Sequence, residues 1–115
     1  MLAAVLIAGM SGAAPAQDVR RFDLAMKGGE LAPQWRTLRV KQGDAVELRW
    51  TSDHPLNLHL HGYDIELRVN PGEPAIMAFK AADAGRFGLT TVRAGGANTR
   101  SHQHGGRVLY LEVHP

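Results

Sequence analysis

Five of the six histidines fall in two short stretches, His54, His59 and His61 in one and His102 and His104 in the other. His59 and His61 are two residues apart. On a strand, that spacing puts both side chains on one face with Cα atoms about 6.6 Å apart. Two imidazoles so placed can converge on one ion. Ser101-His102-Gln103-His104 repeats the spacing inside a glycine-rich stretch. If that stretch folds back over the strand end, four imidazoles meet: His59, His61, His102 and His104. Imidazole is a borderline ligand that suits copper, zinc, nickel and iron. The plain alternative is surface or structural histidine, because a single His-x-His is a weak motif. Finding the motif twice strengthens the metal reading. His54 precedes Pro55 in a turn and reads as a spectator. His114 stands next to the last residue and reads as exposed.

Other chemistry is sparse. Met77, in Ile76-Met77-Ala78-Phe79, reads first as a core gap-filler and second as a soft axial ligand. Met26 reads as core. Asp64 and Glu66 follow His61 closely. Strand alternation alone accounts for them as a polar face; the other reading makes them acceptors for imidazole N–H groups. There is no G-x-S-x-G, no phosphate-binding glycine loop and no H-E-x-x-H. No general base is identifiable, and no enzymatic activity is expected. The absence of cysteine excludes a disulfide scaffold, a thiolate zinc finger, an iron–sulfur cluster and a thiol nucleophile. Thirteen basic and eleven acidic residues leave a formal net charge of +2. With no block of like charges, nucleic acid is a poor candidate partner. At 44% hydrophobic and 21% charged residues, the chain is globular rather than disordered.

The elements that must position the histidines read as strands. Val46, Leu48 and Trp50 alternate with Glu47, Arg49 and Thr51. Leu56, Leu58 and Leu60 alternate with Asn57, His59 and His61. Ile65, Leu67 and Val69 alternate with Glu66 and Arg68, and Leu109, Leu111 and Val113 with Tyr110 and Glu112. This period of two predicts half-buried antiparallel strands. Further strands are expected over 20–26, 37–40, 75–81 and 87–92. Turn signals separate them at Lys27-Gly28-Gly29, Gln42-Gly43-Asp44, Asn70-Pro71-Gly72 and Asp83-Ala84-Gly85. Turns about ten residues apart predict a β-sandwich or barrel. Residues 93–106 are glycine-rich and nearly free of apolar side chains. They read as a long loop between the last two strands, of the kind that tends to carry function.

The first sixteen residues differ from the rest. They carry no charged side chain, run apolar from Leu2 to Met10, and end on Ala14-Pro15-Ala16. That pattern fits a signal peptide cleaved before Gln17, although no Lys or Arg precedes the apolar run. An N-terminal core strand or helix is the alternative. The run is too short for a bilayer, which needs about 20 residues. Removing sixteen of 115 residues leaves one domain of 99, over 17–115, in the periplasm or secreted. Without cysteine, packing and hydrogen bonds must hold it.

At these residues the sequence resembles the cupredoxins, the blue-copper-type β-sandwich family. Val40-Lys41-Gln42-Gly43-Asp44 is similar to the family's V-x-x-G-D turn before a V-x-L/F-x-W strand. His61-Gly62-Tyr63-Asp64-Ile65 resembles the H-G-aromatic-x-I segment that holds the first His ligand in the binuclear-copper branch. Val69-Asn70-Pro71-Gly72, Phe79-Lys80-Ala81, Gly85-Arg86-Phe87 and the closing 106–113 follow the family's punctuation and last strand. The resemblance covers about residues 37–113. It implies an all-β Greek-key sandwich or barrel of about seven to eight strands. In the family a Cys ligand falls four residues after the aromatic of G-x-F/Y; here that position is Thr91. A blue copper–thiolate site needs His₂Cys and is not expected. The resemblance supplies copper as the metal, while the residues alone specify only a nitrogen-rich site, with zinc as the other metal that suits it. The implied function is copper storage, buffering or delivery to a partner protein. The contrasting expectation is a metal-free module that binds a partner protein.

Overall fold

The computed structural model describes residues 19–92 and 106–115. Eight strands occur among them: β1 Val19–Met26, β2 Thr37–Lys41, β3 Ala45–Ser52, β4 Leu56–Leu60, β5 Ile65–Val69, β6 Ala75–Lys80, β7 Gly85–Val92 and β8 Gly106–His114. All eight fall on the expected segments, each within a few residues. A one-turn 3₁₀ helix, Pro33–Trp35, precedes β2 and was not foreseen from the sequence pattern. Its proline supplies the fixed φ that a first helical position accepts.

The strands form two sheets, one of three strands in the order β1-β3-β6 and one of five in the order β2-β8-β7-β4-β5. The pairings β3–β6, β4–β5, β4–β7 and β7–β8 are antiparallel. Two are not: β1 runs parallel to β3, and β2 parallel to β8. The expectation of antiparallel strands throughout is therefore corrected. Alternation reports which face of a strand is buried, not the direction of its neighbour. Here the chain crosses from one sheet to the other between β1 and β2, and each arrives alongside a strand that already runs the same way.

The core lies between the sheets. Leu24 and Met26 of β1, Val46, Leu48 and Trp50 of β3, and Met77 of β6 face Leu38 and Val40 of β2, Leu58 and Leu60 of β4, Val69, Leu89, Leu109, Leu111 and Val113; all are buried. Each large side chain so buried contributes roughly 1.5–3 kcal/mol relative to exposure, and this packing stands in for the missing disulfides. Turns close on the expected residues. At Asn70-Pro71-Gly72-Glu73 the Glu73 N–H donates to the Asn70 carbonyl at 3.1 Å, and Gly72 takes φ 81°. Proline second and glycine third is what a type II turn requires.

Candidate metal centre

The site is built by the end of β4. Leu58 and Leu60 are fully buried, so the intervening His59 points to the outer face of the five-stranded sheet. His61 follows on the same face, its backbone N–H donating to the Gly88 carbonyl at 2.9 Å and extending the β4–β7 ladder by one rung. The two imidazoles meet: their ring centroids are 4.2 Å apart, tilted by 51°. His61 Nε2 is 3.0 Å from Thr90 Oγ1, and Thr90 is the β7 residue aligned with His59. His59 Nε2 lies 3.8 Å from Asp64 Oδ1. Glu66 is aligned with His59 on β5. Sequence reasoning missed Thr90; once β4 and β7 are paired, alternation alone puts it on the outer face.

The turn after His61 is fixed from beneath. Gly62 has φ 91°, and a Cβ there would stand 2.8 Å from Phe87 Cε1 and closer still to Cδ1. No side chain fits. Tyr63 packs on Phe79 and Phe87 at centroid distances of 5.2 and 4.8 Å. Its hydroxyl donates to the Asp83 carbonyl at 2.8 Å and accepts from the Asp83 N–H at 3.1 Å. Asp64 takes φ 56°, a conformation Asp tolerates better than most residues. His61 is thus held by a ladder bond on one side and an anchored aromatic on the other.

Other residues singled out from the sequence lie elsewhere. Met77 is buried on the inner face of β6, aligned with Leu48, and is core. Thr91 is aligned with Leu58 and so faces the sandwich interior. The sheet therefore separates Thr91, which the sequence resemblance aligns with a thiolate ligand, from the histidine pair. His54 sits where β4 begins, at the opposite end from His61. It takes no part in the histidine pair: its Nδ1 is 2.6 Å from Asp53 Oδ1, and both Asp53 oxygens accept the Gly28 N–H at 3.1 Å. The hydrogen bonds from His54 and from the Gly28 backbone hold the Asp53 carboxyl below its ordinary value. His114 is exposed, 3.6 Å from Glu112. His102 and His104 lie outside the described residues, as does the expected signal segment 1–16. Among the described residues no three His, Asp or Glu side chains gather as a metal cluster, and no helix is long and apolar enough to cross a membrane.

The donor set fits a nitrogen-liganded ion in part. Metal–nitrogen bonds of about 2.0–2.1 Å hold two ligating nitrogens within about 4 Å of each other. The two rings, with centroids 4.2 Å apart, are separated by a comparable distance. They supply two ligands, and a complete site needs more.

The class these features define is an all-β sandwich of two mixed sheets with a pair of imidazoles on an outer face. No protein-family model and no curated protein matches the sequence. Solved structures do. A chain of a haem–copper terminal oxidase dimer is 16% identical, with TM-score 0.60, over 90% of this chain and 76% of that one. A multicopper oxidase from Pseudomonas thermotolerans is 23% identical, with TM-score 0.61, over 86% of this chain but 30% of the oxidase. A copper-binding protein solved by NMR in the apo form is 12% identical, with TM-score 0.59, over 87% of this chain and 92% of that one. The chain has the cupredoxin-like fold.

Proposed function

We propose that this domain binds one copper ion through His59 and His61, with His102 and His104 completing a tetragonal nitrogen site, and that it stores, buffers or delivers copper outside the cytoplasm. The observation that carries this reading is the facing pair of imidazoles on a rigid strand end, 4.2 Å between centroids. The fold, shared with copper proteins, favours copper over zinc. Covalent reach is compatible with the fuller ligand set. His104 is two residues from Gly106, at most about 7 Å along the chain, and Gly106 is aligned with Thr91, next to the Thr90 that faces His59. Thr90 and Asp64 would orient the ligating rings from outside the first coordination sphere.

Without a thiolate, bound Cu(II) gives a weak d–d band and no intense absorption near about 600 nm. Titration of the chain with Cu(II), followed by electron paramagnetic resonance, should show about one ion with nitrogen coupling. Competition with Zn(II) separates the two metals. Because ligation needs neutral imidazole, affinity should fall on acidification. Failure to bind Cu(II) or Zn(II) above background overturns the proposal. It would favour the metal-free partner-binding module.

A further inference from the structure

The outer face of the five-stranded sheet divides by charge. On β2, β8 and β7 its outward positions carry Arg39, Lys41, Arg86 and Arg107 against one carboxylate, Glu112. Four cations less one anion leave +3 on this half-face, against +2 for the whole chain. Glu112 is already shared by Arg39 at 3.1 Å, Arg86 at 3.7 Å and His114 at 3.6 Å, so it cannot neutralise them all. The Arg86 side chain is 57% exposed.

The two central arginines are laid on an aromatic platform. The guanidinium carbons of Arg86 and Arg107 are 3.8 and 4.5 Å from the Tyr110 ring centroid. A break in strand register makes this possible. Leu89 is aligned with Leu109 but Thr90 with Arg107, so β8 carries one extra residue there. Val108 and Leu109 are both buried, and Arg107 and Tyr110, three apart, emerge on the same face. Redirecting a side chain is what a bulge does. The ring lies against Gly88, with Tyr110 Cε1 4.0 Å from where a Cβ would stand. A guanidinium stacked on a ring keeps its N–H edge for a planar carboxylate, which it grips with two parallel bonds.

We infer that this half-face docks an acidic segment of a partner protein, whose Asp or Glu carboxylates are held by Arg86 and Arg107 on the Tyr110 platform. The charge complementarity picks the partner, and the planar fork picks carboxylate. Among the described residues the half-face presents no large exposed apolar side chain apart from Val92 at its far end, so little of it could enter a lipid surface. The inference does not rest on metal binding, although the two sites adjoin. Gly88 is aligned with Tyr110 and accepts the His61 N–H, which places a docked partner alongside His59 and His61.

The test is fluorescence anisotropy of the full chain with a labelled Asp/Glu-rich octapeptide, with its Asn/Gln counterpart as control, run without metal. Binding to the acidic peptide alone is expected, weakening several-fold between 50 and 200 mM salt, over which the screening length shortens from about 14 to about 7 Å. The double variant R86Q/R107Q should lose about tenfold or more in affinity. R86K/R107K keeps the charge but not the fork and should lose an intermediate amount. Arg49→Gln, on the other sheet, should change nothing. Thermal melts confirm that each variant folds. Equal loss in R49Q and R86Q/R107Q, no binding at 50 mM salt, or Arg86/Arg107-dependent binding to phosphatidylglycerol vesicles in preference to the peptide would each overturn the inference.

Discussion

The two ends of β4 each present histidine beside carboxylate, and they use it differently. Where β4 begins, Asp53 clamps His54 Nδ1 at 2.6 Å and takes the Gly28 N–H as well. The histidine is part of a local knot that ties the β3–β4 turn to the turn after β1. Where β4 ends, His59 and His61 face each other. Among the described residues, His61 Nε2 is 3.0 Å from the Thr90 hydroxyl and His59 Nε2 is 3.8 Å from the Asp64 carboxylate. His54 and His61 each have one nitrogen engaged, by Asp53 and by Thr90, but only His61 stands beside a second imidazole with which it could share an ion. The arrangement of partners, more than the number of histidines, distinguishes the turn from the proposed ligand site.

The sharpest way to break this comparison is metal binding. His59→Ala/His61→Ala should cost Cu(II) affinity on the order of 100-fold or more, beyond the 10–100-fold typical of losing an outer-shell partner. His54→Ala should cost less than about threefold. Equal losses in competition titrations would mean the two ends are not distinct. Next is backbone fit. Gly62→Ala combines a positive φ with a collision at Phe87, which together should cost about 2–4 kcal/mol in chemical denaturation. Gly28→Ala, with φ 62° and nothing within 4 Å, should cost about 1–2 kcal/mol. Tyr63→Phe removes both hydrogen bonds to Asp83 and should cost about 1 kcal/mol.

The smallest expected effect concerns Asp53. Its folded pKa lies below the usual 3.8, so its ionised form favours the folded state. That contribution is present above about pH 4 and is lost as pH falls from 3.8 through the lower folded value. Asp53→Asn should therefore lower the melting temperature slightly at pH 7. The gap to wild type should close as pH falls below that lower folded value, and a gap that persisted there would assign the effect to the shape of the turn instead.

Strand positions were readable because alternation is local: the burial of Leu58 and Leu60 on either side of His59 is visible in six residues of sequence. The His59–His61 spacing was readable for the same reason. What escaped the sequence depends on which strands become neighbours. Thr90 reaches His61 only because β7 pairs with β4. The parallel partners of β1 and β2 lie in distant segments. Thr91 occupies the family's thiolate position, yet it faces the interior while the histidines face out, a distinction that needs the register. The Arg107–Tyr110 pairing depends on a bulge for which the apolar pair Val108-Leu109 is the only local hint. The same pair breaks the strict alternation of the last strand.

The pairing of β2 with β8 has a kinetic consequence. It joins Arg39 to Glu112, 73 positions apart in the chain, so the loop-closure entropy must be met before any of its hydrogen bonds form. The local hairpins β4–β5 and β7–β8 can form early, and the sheet is sealed along β2 only at the end. Such topologies fold in milliseconds to seconds rather than microseconds. Until β2 arrives, β8 is an open edge able to pair with another chain. Arg107, Glu112 and the cations beside them then have a second use during folding, as charges that discourage the wrong strand.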